Sequence, residues 1–488
     1  MRIQDLRESH IFTAACAAAE RVVAIWNAFA TRWNPVVVIV ATWAVLTAPL
    51  VYLRGFNSDE GVAVNVARYA LQDGHWITPY LINLRFVERP TLLSWIIAVL
   101  SVPFGHVSQF TARLPVILFV LGGCLLIYAI LRRVSASIPA ALLGVALFLA
   151  CPIMLRSFVM TTADMPLAVL LFLAFVIWWD GYDGDRISVS RWAAIGGVLA
   201  LAGLMKGPQP VAYFALGIGL FILITRSWSQ IPGFILAGVI CLIPLAGWYG
   251  YVYAPGDEAS WAGFMRLAPG APLKNPIKAI PILISETLPA ALFAAAYFFV
   301  EGFRGSDRVP AGFIKAILCY GLTAAIVILF WPGGSATRYF FPLILPMCVL
   351  GGLGYDALMA KRPLAAAPGL LVTLTILAYA FVYSVIAAPL LPRQFRSAQI
   401  DSARISDLVR AAPATIYRTG EVGLNVFTLV PGRIITTNMA TLRTVSGPAW
   451  LALEPDEAAA LLAERAGNLR LVTQFGQDDE WRLLRLEK

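Results

Sequence analysis

Charge is scarce in this chain: Asp, Glu, Lys and Arg make up 13% of its 488 residues, about half the share usual in a soluble domain. A water-soluble protein is thereby excluded. Histidine is nearly absent, with only His10, His75 and His106, so no His-rich metal cluster is encoded. The six cysteines, Cys16, Cys124, Cys151, Cys241, Cys319 and Cys348, are widely separated and show no C-x-x-C spacing. They read as packing residues rather than a disulfide framework or a zinc site. Glu20 and Arg21 interrupt the apolar stretch after Ile11, so a signal-peptide core is lacking and residues 1–34 read as a cytoplasmic segment. There is no Lys/Arg-rich block that would suggest nucleic acid, no internal repeat and no low-complexity tract.

What the chain has instead is apolar length. Hydrophobic residues make up 59%, and the mean hydropathy is +0.76. Apolar runs near 36–53, 111–131, 138–156, 165–180, 192–206, 209–225, 231–252, 286–303, 313–331, 339–358 and 364–388 approach what a bilayer core of about 30 Å requires of a helix. Eleven spans are therefore expected within a membrane domain at 35–388. Alternation from a cytoplasmic N-terminus puts Arg132–Arg133, Arg186, Arg191, Arg226, the Arg304/Arg308/Lys315 group and Lys361–Arg362 inside, as the bias of cations toward the cytoplasm requires. Outer loops then fall at 54–110 and 253–285. The run 91–104 is too short to span and is expected to lie along the outer surface; WAGFMRL in the second loop is another candidate surface helix. Residues 389–488 change character. From 393 onward, 12 Lys+Arg balance 11 Asp+Glu, with strand-like runs at ATIYRTG, GRIITT and LRLVTQF and a helical pattern at EPDEAAALLAERAG, so a small α/β domain outside the membrane is expected. The fold class is an all-α polytopic membrane domain with a small C-terminal α/β domain.

Ionisable groups at membrane depth cost about 2.5–3.5 kcal/mol each on insertion scales, so those at span ends without an evident anchor are candidates for function. Asp59 and Glu60 open an amphipathic stretch after the first span; Glu88 and Arg89 precede the surface helix. Asp164 lies in a short outer connection, Lys206 in the tight turn Met205-Lys206-Gly207-Pro208, and Arg338 with Tyr339 at the start of YFFPLILP. Each has a plain alternative: capping for Asp59 and Asp164, an exposed pair for Glu88 and Arg89, snorkelling for Lys206 and Arg338. Together they place carboxylates and cations at one membrane face, an assortment that capping does not predict. Cations there suit a lipid phosphate on which charge grows, and a carboxylate suits an acceptor's proton.

The ordered set SDEGVAVNVARYALQDGHWITPYLINLRFVERP, FTARLP, TTADMPLA, LMKGP and ATRYFFPLILP, covering about residues 35–350, resembles the bacterial aminoarabinose transferase and protein O-mannosyltransferase-like family. These are membrane glycosyltransferases of the GT-C fold. The resemblance implies an inverting transferase in the bacterial inner membrane, with its site toward the periplasm. It implies a polyprenyl-phosphate sugar donor among membrane lipids, and a lipid or glycan acceptor such as lipid A, lipopolysaccharide or another envelope glycan; protein is the alternative acceptor. Carried over, Asp59 matches the family's loop aspartate, the candidate for catalytic base or acceptor positioning, with Asp164 supporting the site as a second catalytic carboxylate. Glu60, Glu88, Arg89, Lys206, Arg338 and Tyr339 would bind substrate, with Arg89 on the lipid phosphate in place of the family's lysine. The family's G-D-W reads Gly74-His75-Trp76, and Val62 stands where aminoarabinose transferases often carry arginine, which argues against carrying over that particular sugar. No cofactor is required, because a phosphate leaving group needs only fixed cations. Some relatives bind a divalent ion near this loop, but His75 has no partner histidine and reads as a surface residue. A secondary transporter or lipid flippase is the rival class; such proteins commonly show two corresponding halves, which this chain lacks.

Overall fold

The computed structural model describes residues 10–57, 59–82, 84–182, 187–208, 211–254, 276–303, 309–330, 337–387, 390, 393–420, 422–465 and 467–487. The WAGFMRL segment lies outside them. The chain divides into two compact units. The first comprises Met1–Thr47, Ile117–Phe158 and Ala163–Tyr383; the second comprises Ala48–Val116, Val159–Thr162 and Ser384–Lys488.

Among the described residues, eight helices are long and apolar enough to cross a membrane: Pro35–Leu53, Gln109–Arg133, Asp164–Gly181, Val189–Lys206, Trp228–Val252, Gly312–Leu329, Thr337–Lys361 and Pro363–Ile386. A ninth arises if Ala279–Thr287 and Ala290–Glu301, bent by 91°, count as one span. The chain is thus a multi-pass membrane protein, but the expected eleven spans are reduced to eight or nine. The cause is local. The run 138–156 breaks at Cys151, whose backbone is extended (φ −60°, ψ 134°), and Pro152 starts a separate short helix. The 13 residues of Ile138–Ala150 reach only about 20 Å. Ala212–Thr225 and Leu92–Phe104 are likewise short apolar helices.

In the first unit, small residues let helix backbones approach closely, the usual device where lipid removes the hydrophobic drive to associate. Gly354 faces Ala290–Glu301 so tightly that a Cβ there would sit 1.8 Å from the Phe293 carbonyl oxygen, and one on Gly196 would sit 2.9 Å from that of Ala237. Apolar side chains such as Leu242, Ile243, Leu371 and Val372 remain exposed along these helices, as a lipid-facing surface requires.

In the second unit β1 (Tyr80–Leu81) pairs antiparallel with β2 (Leu84–Arg85), and a five-stranded sheet is formed by β3 (Thr415–Thr419), β4 (Ile434–Thr437), β5 (Ala449–Leu453), β6 (Leu469–Phe475) and β7 (Trp481–Leu486) in the order β4-β3-β5-β7-β6. The β3–β4 and β3–β5 pairs are parallel; β5–β7 and β6–β7 are antiparallel. Alternation along the central β5 feeds two cores: Trp450 and Ala452 on one face, Ala449, Leu451 and Leu453 on the other. Burial on both faces explains its continuous apolar run. The helix Pro455–Glu464 begins with a capping box between Glu454 and Glu457.

The segment expected as an outer loop is part of this unit's packing. Ile82 lies in the same core as Ile416, Phe427 and Trp450, with Tyr69 and Leu81 against it. The helix Glu60–Asp73, closed by Gly74 at φ +74°, is stitched to the C-terminal chain by polar bonds. Asn65 Nδ2 donates to Thr428 Oγ1 at 3.2 Å, Arg68 donates to the carbonyls of Phe427 (3.2 Å) and Gly432 (2.6 Å), and Tyr69 OH donates to Ile434 O at 2.9 Å. Gly61 N–H donates to Asn425 Oδ1 at 3.0 Å, an approach only glycine permits, since a Cβ would lie 2.6 Å from that oxygen. Burial lowers the Arg68 pKa, the nearby Tyr69 and Asp73 offsetting part of the effect.

Candidate active site

In the first unit three helix ends bring an ionic cluster together. Asp164 is the first residue of Asp164–Gly181, whose N-cap position is held by Ala163, and its carboxylate is turned to two cations instead. Lys206 ends Val189–Lys206 because Gly207 turns to φ +108°, a conformation side chains rarely adopt. Arg338 and Tyr339 sit in the 3-10 turn Thr337–Phe340, which feeds the helix Phe341–Lys361. Lys206 Nζ donates to Asp164 Oδ1, and Arg338 Nε lies 3.4 Å from Asp164 Oδ2. The Lys206 ammonium lies 4.2 Å from the Tyr339 ring centroid and the Arg338 guanidinium 5.7 Å from it.

Lys206 and Arg338 thus share the Asp164 carboxylate. Lys206 and Arg338 keep 9% and 19% of their side-chain surface, so the cluster is dry but not closed, and snorkelling does not describe cations turned onto an inward carboxylate and ring. Phe340 and Phe341, which follow Tyr339, are buried as packing. Tyr213, buried and within electrostatic reach of Asp164 and Tyr339, was not singled out from the sequence because it lies inside an apolar run.

The other candidates belong to the second unit. Asp59 occupies the N-cap position of Glu60–Asp73, yet its side chain makes no cap hydrogen bond; it is partly exposed. Glu60, read from sequence as a substrate contact, has no exposed side-chain surface and lies within 3.9 Å of Arg113. Arg113 was quoted only as part of FTARLP, because an arginine inside an apolar span looks like an anchor until its partner is seen. Glu88 and Arg89 pair with each other at 3.5 Å, and Arg89 also lies 5.8 Å from the Phe86 ring centroid. Their helix starts at Leu92 with Thr91 as N-cap, so Pro90 precedes it. His75 stacks on Tyr80, ring centroids 4.1 Å apart. Among the described residues no three His, Cys, Asp or Glu side chains gather as a metal site.

Residues 88–251 match the profile of a family described as dolichyl-phosphate-mannose-protein mannosyltransferase. The chain is 23% identical over 332 residues to an undecaprenyl phosphate-alpha-4-amino-4-deoxy-L-arabinose arabinosyl transferase of Pseudomonas fluorescens, covering 66% of this chain and 56% of that one. It is 34% identical over 187 residues to an uncharacterized protein of Aquifex aeolicus, covering 35% and 42%. The chain spans about half the length of the curated relatives it matches. Its structure is similar to that of ArnT from Cupriavidus metallidurans bound to undecaprenyl phosphate, with a TM-score of 0.71 at 17% identity over 92% of this chain and 97% of that one. It is also similar to the Archaeoglobus fulgidus oligosaccharyltransferase in complex with Zn and sulfate, with a TM-score of 0.52 at 10% identity over 88% and 69%. The fold is therefore the GT-C type expected from the sequence, and the resemblance to the aminoarabinose transferases holds in sequence and in fold.

Proposed function

We propose that this protein is an inverting glycosyltransferase of the bacterial inner membrane, moving a sugar from a polyprenyl-phosphate carrier to a periplasmic lipid or glycan acceptor such as lipid A or lipopolysaccharide. The observation that carries the reading is the Lys206–Asp164–Arg338 cluster, which gathers two cations and a carboxylate at three helix ends. In the donor, the phosphodiester bears one negative charge. As the acceptor hydroxyl forms its bond to the anomeric carbon, the bond from that carbon to the phosphate oxygen breaks and its electron pair leaves with the phosphate. The polyprenyl phosphate thus gains a second charge, which fixed cations in a dry site stabilise more than they stabilise the donor. Lys206 and Arg338 meet that charge; Asp164 and the Tyr339 ring hold them in place beforehand.

Asp59 takes the acceptor's proton. Arg89 adds a phosphate contact that can be bidentate, and Glu88 holds Arg89 and accepts from sugar hydroxyls. No general acid is needed, because phosphate is a stable leaving group. A second reading, transfer to protein, is favoured by the description of the family matched over 88–251.

Mass spectrometry of envelope lipids, glycans and periplasmic proteins from a deletion strain tests the reading. One glycan modification is expected to disappear, to return with the wild-type gene, and to fall by about 10²–10⁴-fold with Asp59→Asn. An unchanged glycan profile on deletion, or full restoration by Asp59→Asn, rejects it.

A further inference from the structure

We infer that Glu60 and Arg113 are positioning residues: a sealed ion pair that holds the loop carrying Asp59 against the backbone at 50–55 and at Thr161 in one fixed geometry. The inference rests on the transferase reading above.

Both side chains are 0% exposed, so neither can touch a substrate and any influence on transfer passes through what they hold. Burying a carboxylate is unfavourable unless its lone pairs are filled, and those of Glu60 are. Its Oε1 accepts from Thr161 N–H at 2.8 Å and lies 3.9 Å from Arg113 Nη2; its Oε2 accepts from Asn57 N–H at 2.9 Å and lies 3.8 Å from Arg54. Arg113 donates through Nη1 to the carbonyls of Val51 (2.5 Å) and Leu50 (3.3 Å), and through Nη2 to that of Gly55 (3.2 Å). Its guanidinium lies 5.0 Å from the Phe56 ring centroid.

Backbone at 50–51, at 55 and 57, and at 161 is thus gathered on one ion pair. These attachment points bracket the chemistry in sequence: Asp59 adjoins Glu60, and Thr161 stands three residues before Asp164. Apolar residues of similar volume often stabilise a fold as well as a buried ion pair does. What the pair adds is direction, since its charges are satisfied in a single arrangement of these segments. A carboxylate base must meet its proton within hydrogen-bond reach, so the loop that carries Asp59 must be fixed.

The test uses the full chain in a deletion strain, reading the restored glycan by mass spectrometry. In parallel, the purified protein in nanodiscs is assayed for thermal unfolding and for binding of polyprenyl phosphate. Glu60→Gln and Arg113→Lys are each expected to cut restored product by about a hundredfold, the scale of a displacement near 1 Å. Folded protein and polyprenyl-phosphate affinity should stay at wild-type level, and the double variant should be no worse than the weaker single one, because the two act as a unit. If Glu60→Gln does not accumulate, Glu60→Asp takes its place, keeping the charge while withdrawing the carboxylate by one methylene.

Full product from both variants, with Asp59→Asn and Lys206→Ala inactive, overturns the inference and leaves the transferase reading standing. A loss that merely tracks folded protein, or that appears as lost polyprenyl-phosphate affinity, also overturns it. Wild-type product from Asp59→Asn and Lys206→Ala would instead sink the transferase reading.

Discussion

The Lys206–Asp164–Arg338 cluster and the Glu60–Arg113 pair are both ionic groups in largely apolar surroundings, and they differ in what surrounds the cation. Arg113 is sealed, its two terminal nitrogens bonded to three backbone carbonyls. Lys206 meets one carboxylate oxygen and the face of an aromatic ring, and both cations of its cluster keep some exposed surface. A guanidinium whose terminal nitrogens are both bonded to backbone fixes structure. An ammonium balanced by one shared carboxylate retains capacity for an arriving anion. The contrast separates a candidate ligand group from a structural one better than burial or sequence position does, since both cations lie in or at the end of membrane helices.

The comparison can be broken by substitution. The largest effect is expected for Lys206→Ala. Loss of one preorganised charge contact to the leaving phosphate should reduce transfer by about 10²–10³-fold, read as restored glycan in the deletion strain; a loss below tenfold would put Lys206 on the structural side of the divide. Arg68→Met comes next. It removes the charge-assisted bonds from Arg68 to Phe427 O and Gly432 O that tie the helix Glu60–Asp73 to the C-terminal chain, at a cost of about 1–3 kcal/mol, visible as a lower unfolding temperature. The smallest effect belongs to Lys361→Ala, which breaks an exposed pair with Glu301. It should alter stability by less than about 1 kcal/mol and leave transfer unchanged, the baseline for a surface cation of this protein.

Much of the architecture was legible because the relevant signals are local. Apolar length marked the long helices, and Pro-Asp-Glu after Glu454 announced the helix Pro455–Glu464. ATIYRTG, GRIITT and LRLVTQF each contain a strand, β3, β4 and β6. The misses arose where a local signal is ambiguous or the decisive partner is distant. AWLAL in β5 is apolar throughout because both sheet faces are covered, so it carries no alternation to read. The run 138–156 has a span's composition, but Pro152 restarts it as a second helix. That the segment around Glu60–Asp73 packs on the C-terminal sheet depends on bonds such as Tyr69 to Ile434, 365 positions away, which no local pattern encodes. At the site, the residue types were legible as charges out of place in an apolar chain. Which of them pair was not: Asp164 with Lys206 is a contact 42 positions apart, and Glu60 looked like a ligand group until Arg113 and Thr161 were seen to enclose it.

The most direct test of the central claim is the affinity of the purified protein in nanodiscs for polyprenyl phosphate, compared between wild type and Lys206→Ala. Loss of a charge-assisted contact to phosphate predicts binding at least about tenfold weaker in the variant. Equal affinity in the two proteins would contradict the claim that this cluster holds the carrier's phosphate.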